Sequence, residues 1–207
     1  AERLKNQSDT GPLPANRSQT EDRPAPIADG HVEATVLFAD LVGFTPLSSR
    51  LPPAALVQLL NEIFCRFDDI VLMHGLEKIK TIGDAYLAVS GGTSSTAHGA
   101  RDAVAFSRDL ITQVRALAEE SGVNVAVRVG LHTGPVVGGV IGSSRLAYDY
   151  WGDTMNIASR IEGAARPGGI AVSAATFHQC AGAYDFGPAE VQVLKGVGET
   201  EIRHLEV

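Results

Sequence analysis

The run Thr35-Val36-Leu37-Phe38-Ala39 is rich in β-branched and aromatic residues that suit a buried strand, and it leads straight into Asp40. An acid therefore stands where the strand stops. A carboxylate in that place is held by a rigid element yet meets solvent or a cation, and Gly43 lets backbone N–H groups come close to an anion. An acid before a helix also serves as an ordinary cap. On this stretch alone both readings stand, so the choice falls to the rest of the chain.

Along the chain the hydrophobic period changes repeatedly. Pro52 and Pro53 suit a first helical turn, and Leu56, Leu59, Leu60, Ile63, Phe64, Phe67, Ile70 and Val71 follow at spacings of three and four, predicting a helix that His74-Gly75 ends. Glu77 to Ile82 and Ala85 to Val89 read as two strands joined at Gly83-Asp84, a β-hairpin with Asp84 at its tip. A second amphipathic helix is expected from about Thr96 to Glu120, on the shared face of Ala100, Ala103, Val104, Ser107, Leu110, Ile111, Val114 and Leu117. Val123 to Leu131 then alternates valine and leucine with Asn124, Ala126, Arg128 and Gly130, the clearest strand pattern in the chain. Gly134, Gly138, Gly139 and Gly142 predict a segment that turns sharply or lies close to another backbone.

Leu146 to Trp151 reads as a strand, and Asp153 is the expected N-cap of a short helix carrying Asn156 and Arg160 on one face. Pro167-Gly168-Gly169 predicts a turn. A strand over Ile170 to Val172, a Ser173-capped segment to Cys180, and short strands near Ala183 to Phe186, Glu190 to Leu194 and Thr200 to Leu205 complete the pattern. Interleaved strands, hairpins and helices without βαβ regularity define an α+β fold, a mixed or antiparallel sheet with packed helices. Residues 1–31 hold Pro12, Pro14, Pro24 and Pro26 among polar residues and read as a flexible linker with a scrap of helix at 1–5; residues 32–207 form the expected domain.

Composition narrows the function. At 207 residues and 44% hydrophobic content the chain can bury one substantial core, and a net charge of −7 argues against a broad nucleic-acid surface. Cys65 and Cys180 lack the spacing of a disulfide framework or a zinc site, which suits a reducing, cytoplasmic setting. The sequence contains no apolar run of membrane-spanning length and no signal-peptide pattern. Because the chain begins at Ala1 rather than methionine, it is expected to be a piece or a processed product, with any anchor upstream.

Several polar residues remain to be explained. Asp40 and Asp84 both stand where a strand ends or turns; if they meet, they form a hard-oxygen site for Mg²⁺, and if they do not, they are ordinary turn residues. Lys80 and Asp149, facing one pocket, could read a purine edge, the lysine donating to a ring nitrogen and the carboxylate accepting from an amino group. Charges on solvated sheet faces are the competing account. Asn156 and Arg160 offer an amide and a guanidinium side by side, suited to a ribose oxygen and a phosphoryl group. His132 carries a structural role, since no metal-ligand spacing surrounds it. The sequence has no P-loop, no dinucleotide-binding glycine turn within a βαβ unit and no nucleophile elbow.

Four blocks in order, Phe38-Ala39-Asp40-Leu41-Val42-Gly43-Phe44-Thr45, Lys78 to Tyr86, Arg128 to Val136 and Tyr148 to Arg160, resemble the class III nucleotidyl cyclase catalytic domain, specifically bacterial homodimeric adenylate cyclases. The resemblance runs from about Ala34 to Leu205 and implies a ferredoxin-like cyclase fold. It implies that Asp40 and Asp84, with the carbonyl of Leu41, bind two Mg²⁺ or Mn²⁺ ions, and that the Gly43-Phe44-Thr45 backbone cradles phosphates. By the same resemblance Lys80 and Asp149 select adenine, where guanylate cyclases carry Glu and a small residue. Asn156 then positions the ribose, Arg160 stabilises charge on the phosphoryl group, and Lys195 neutralises the terminal phosphates, although Val197 replaces a second lysine that the family often has.

The implied activity is conversion of ATP to 3′,5′-cyclic AMP and pyrophosphate at composite sites between two copies of the chain, arranged head to tail. The metal aspartates come from one copy and Lys80, Asp149, Asn156 and Arg160 from the other. An upstream helix, belonging to a membrane or sensor region, is expected to be missing, leaving a fragment that dimerises weakly. The rival readings are a guanylate cyclase, a catalytically silent regulatory pseudo-cyclase, and a Mg²⁺-dependent phosphohydrolase using Asp40 and Asp84. The regulatory signal, the parent's membrane topology, the dimer's affinity and the choice between Mg²⁺ and Mn²⁺ are not encoded in any motif.

Overall fold

The expected strand around Thr35 is the middle of a longer one. In a computed structural model, which describes residues 27–93, 99–141 and 147–207, β1 runs from Ile27 to Val42. Residues 27–31 therefore belong to the sheet and not to the linker; residues 1–26 lie outside the described part. β1 pairs antiparallel on one edge with β3 (Ala85–Ser90) and on the other with β4 (Ala126–Val140). From Thr35 to Asp40 its backbone groups are thus taken up on both sides, as burial of a polar main chain requires.

The remaining elements are α1 (Phe44–Ser48), α2 (Pro53–Met73), β2 (Glu77–Ile82), α3 (Ala100–Ser121), β5 (Tyr148–Trp151), α4 (Asp153–Ala164), β6 (Gly169–Ser173), α5 (Ala174–Cys180), β7 (Glu190–Leu194) and β8 (Gly198–Glu206). The strand order is β2-β3-β1-β4-β6-β8-β7, with β5 paired to β4 off this path. Among the described residues only the β4–β6 ladder is parallel. This is the expected α+β architecture.

Helices cover both faces. On one, Ile63, Phe67, Ile70 and Val71 of α2 and Ala103, Val104, Leu110, Ile111 and Val114 of α3 pack with Leu37, Ala39, Val127, Val129 and Leu131 in a single cluster. On the other, Ala34, Val36, Leu87, Val89 and Val136 pack with Tyr150 and with Ala158 of α4. The alternation of side chains along a strand divides β1 between these faces, odd residues from Leu37 to Leu41 on one and Val36 on the other. α4 lies directly on β4 because Gly130 has no side chain: a Cβ there would stand 2.0 Å from the Glu162 nitrogen.

Four local expectations change. The glycine-rich end of β4 does not turn; its glycines admit close neighbours, since a Cβ at Gly134 would meet Thr154 Oγ1 at 2.8 Å and one at Gly138 the Tyr148 hydroxyl at 2.3 Å. Gly142 and Leu146 lie outside the described residues, as do positions 96–98 of the expected second helix. Gly152, not Asp153, is the N-cap of α4, and no side chain caps it. Residues 183–186 are not a strand: Gly187 donates to the His204 carbonyl, and Tyr184 and Phe186 pack as ring neighbours instead. α1, too short to show a hydrophobic period, was absent from the expected elements. Ser173 does cap α5, accepting from the Thr176 N–H at 3.2 Å.

Candidate active site

The β1–β3 register brings the two aspartates together. Asp40 pairs with Ala85, and Asp84 is the residue just before it, at the tip of the β2–β3 hairpin. Burial first, and then the negative charge of Asp84, push the Asp40 carboxyl above its ordinary value; Arg128 opposes them. Arg128, opposite Asp40 on β4, donates to Asp40 Oδ2 at 3.0 Å and, through Nε, to Glu162 Oε1 of α4 at 2.5 Å. Burial likewise raises the Glu162 carboxyl against the pull of Arg128, with Asp40 and Asp84 adding to the rise. One guanidinium thus pairs with two carboxylates, and a third, Asp84, lies near enough to raise both of them. A divalent cation supplies the positive charge this corner lacks, so the donor set fits one. Among the described residues no cluster of three or more His, Cys, Asp or Glu side chains is arranged to hold a metal by itself.

Beside this corner the chain turns at Gly43, whose φ of +87° favours glycine; a Cβ there would also press on the Asn124 carbonyl oxygen at 2.8 Å. Phe44, the first residue of α1, is buried in the core, and Thr45 beside it is exposed.

Lys80 and Asp149, 69 positions apart, meet. Lys80 Nζ donates to Asp149 Oδ2, and the Tyr150 N–H donates to Oδ1 of the same carboxylate at 2.9 Å. The pair stays open to solvent, with 42% of the lysine and 23% of the aspartate side chain exposed. Plain alternation does not put Lys80 on that side. Glu77 pairs with Val89, Lys78 with Ala88 and Lys80 with Leu87, so Ile79 is an extra residue, a bulge, and Glu77 and Lys80 share a face despite their odd spacing. Lys78 points the other way, to Asp68 of α2 at 2.6 Å, which also accepts from the buried Tyr86 hydroxyl at 2.8 Å.

Asn156 and Arg160 are exposed on α4 and have no hydrogen-bond or ion-pair partner among the described residues. Lys195 lies in the exposed β7–β8 turn; β4, β6 and β8 separate its strand from β1, four inter-strand steps or about 19 Å across the sheet. The chain therefore assembles two separate clusters, Asp40–Asp84–Arg128–Glu162 and Lys80–Asp149, with no hydrogen bond or ion pair joining them among the described residues. His132 is half-buried with Nδ1 2.8 Å from the Ser173 hydroxyl, and burial pushes its pKa down.

Sequence reasoning assigned no part to Arg128, Glu162, Glu77 or Tyr150. Arg128 had a signal, a lone cation inside the strongest apolar alternation. Glu162 and Glu77 had none, since each looks like a surface acid.

Residues 28–206 match the adenylate and guanylate cyclase catalytic domain, and the chain belongs to that family. It is 47% identical over 146 residues to an adenylate cyclase of Mycobacterium tuberculosis, covering 70% of this chain and 33% of that protein. It is 36% identical over 154 residues to a membrane guanylyl cyclase of Dictyostelium discoideum, covering 73% of this chain and 10% of that one. The chain thus spans a third or less of the length of these relatives. Among solved structures it resembles the guanylate cyclase domain of RhGC from Catenaria anguillulae in complex with GTP, with a TM-score of 0.82 at 32% identity, covering 86% of this chain and 98% of that one. The adenylyl cyclase CyaB from P. aeruginosa gives 0.82 at 26% identity, covering 87% and 96%. Both substrate classes stand among these relatives. Among the described residues no helix is long and apolar enough to cross a membrane.

Proposed function

We propose that this chain is the catalytic domain of an adenylate cyclase, converting ATP to 3′,5′-cyclic AMP and pyrophosphate at sites built from two copies of the chain. The observation that carries the choice of ATP is the Lys80–Asp149 pair. Lys80 has three donors and spends one on Asp149, leaving others for the adenine ring nitrogen N1. Asp149 accepts two hydrogen bonds and keeps lone pairs for the 6-amino group. Guanine reverses this pattern, with an acceptor at O6 and a donor at N1, so its edge meets donor with donor and acceptor with acceptor.

Mg²⁺ or Mn²⁺, two per site, held by Asp40, Asp84 and the Leu41 carbonyl, would neutralise the triphosphate and acidify the ribose 3′-hydroxyl. The residues of the chain do the rest. Amides of the Gly43-Phe44-Thr45 turn of one copy and Lys195 of the other bind phosphate oxygens, and Asn156 orients the ribose so that its 3′-oxygen faces the α-phosphorus in line. That oxygen gives up its proton to solvent and forms the new P–O bond, the bond from the α-phosphorus to the α,β-bridging oxygen breaks, and pyrophosphate leaves. Arg160 stabilises the charge that grows on the phosphoryl group.

The partnerless state of Asn156 and Arg160, and the separation of the two clusters, support a head-to-tail dimer in which each site takes its metal side from one copy and its base-reading side from the other. Two structural relatives, one a non-canonical dimeric guanylyl cyclase domain and the other a guanylate cyclase domain in complex with GTP, agree with a nucleotide site and an assembled state.

Incubation of the protein at high concentration with ATP or GTP and Mg²⁺ or Mn²⁺ tests this reading. Cyclic AMP with pyrophosphate is expected. Cyclic GMP as the main product selects a guanylate cyclase, free phosphate a phosphohydrolase, and no product a regulatory pseudo-cyclase.

A further inference from the structure

An ion pair between two flexible, solvent-exposed side chains does not by itself hold a geometry fine enough to read a base, because solvent screens it and both side chains must be ordered to keep it. Lys80 and Asp149 are such a pair. Something else must fix the gap between the strands that carry them.

Directly beside them is a second cross-link, anchored on a buried ring and reaching a half-buried Glu77 and an exposed Thr93. Tyr150, 3% exposed, follows Asp149 on β5 and sets its ring in the cluster of Val36, Leu87, Val89 and Val136. Its hydroxyl accepts from the Thr93 N–H at 3.0 Å and donates to Glu77 Oε2 on β2 at 3.1 Å. The Thr93 hydroxyl donates to the same carboxylate oxygen. Gly92 makes room for this arrangement, since a Cβ there would stand 2.1 Å from the Tyr150 hydroxyl oxygen. Burial pushes that hydroxyl up to about 12 against the lowering effect of the Thr93 N–H, with Glu77 adding to the rise, so it remains a donor at neutral pH.

Because of the bulge at Ile79, Glu77 and Lys80 lie on the same face of β2 and reach adjacent residues of β5. Tyr150 also controls Asp149 through its own N–H. We infer that Glu77, Thr93 and the Tyr150 hydroxyl form a latch that fixes β5 against β2 and thereby sets the Lys80–Asp149 geometry, making them positioning residues for purine discrimination. This rests on Lys80 and Asp149 being the base-reading pair proposed above.

The test measures discrimination with and without turnover. Competition of ATP and GTP against a fluorescent, non-cyclisable ATP analogue gives a binding ratio, and initial rates of cyclic AMP and cyclic GMP formation give KM and kcat. Tyr150→Phe keeps the ring and removes the hydroxyl; the ATP-over-GTP ratio is expected to fall about tenfold, mostly through KM for ATP. Glu77→Gln, which still presents an oxygen acceptor, keeps the wild-type ratio, and Glu77→Leu loses it as Tyr150→Phe does. In a Lys80→Met background Tyr150→Phe has no further effect, because the latch acts only through that pair.

An unchanged ratio in Tyr150→Phe, or an equal loss in the Lys80→Met background, overturns the latch. Should Tyr150→Phe melt early, Thr93→Val reads the same ratio with the tyrosine intact, and an unchanged ratio there is again decisive against it. A wild-type chain that binds neither nucleotide removes the proposed function and this inference with it. One that prefers ATP while the latch variants prefer it equally removes the latch alone.

Discussion

Asp40 is held between opposing influences. Arg128 favours its charged form, and burial with Asp84 favours the neutral one more, so its pKa in the folded chain is raised above 3.8. For an acid of this kind the contribution to folding is fully present below the unfolded value and is lost as pH rises through the folded one. At neutral pH without cations, Asp40→Asn therefore removes an unfavourable charge while its amide oxygen still accepts from Arg128. Its melting temperature is expected to equal or exceed that of the wild type, while cyclase activity falls by about a hundredfold or more. Binding of Mn²⁺ with an ATP analogue should likewise weaken as pH falls through a window lying above that of an ordinary aspartate, because the raised carboxyl takes up its proton earlier; calorimetric titration across pH reads this. That an acid stands near the end of this strand was legible in the chain, although β1 does not stop there but runs on to Val42. That Arg128, 88 positions away, holds it was not.

The elements differ in how far their own sequences specify them. α2 and α3 follow their apolar period closely, because burial of a stripe at every third and fourth residue is a local property. α4 is positioned by its neighbour instead. Its fit on β4 depends on Gly130, where an added Cβ would meet the backbone of Glu162, which cannot rotate aside as a side chain can. Gly130→Ala is expected to destabilise the fold by about 1–3 kcal/mol in urea unfolding and to displace Asn156 and Arg160 with the helix, lowering activity beyond what lost stability explains. If Gly130→Ala unfolds at the wild-type midpoint with full activity, the helix is not held as described. The bulge in β2 belongs here too: simple alternation sends Lys80 and Glu77 to opposite faces, and only the pairing with β3 corrects this.

Taken whole, the molecule presents the Asp40–Asp84–Arg128–Glu162 corner in one place and the Lys80–Asp149 pair in another, and the proposed dimer joins them across copies. Asp40→Asn and Arg160→Ala chains should each be nearly inactive. Mixed in equal amounts at concentrations that drive dimerisation, they should recover about a quarter of the wild-type rate, since half the dimers are mixed and each of those holds one intact site. Failure of the mixture to recover activity places all functional residues within one chain and removes the composite site.

By itself the sequence determined the periods of the long helices, the hairpin carrying Asp84, the α+β class and the polar residues that wanted a purpose, because these depend on the spacing of neighbours along the chain. Tertiary structure alone decided which of those residues meet. Asp40 reaches Arg128, and Lys80 reaches Asp149 beside Tyr150 and Glu77, through strand register, a one-residue bulge and glycines that let elements touch. Register is settled by the packing of whole faces against one another, and a single strand carries only its own half of that fit.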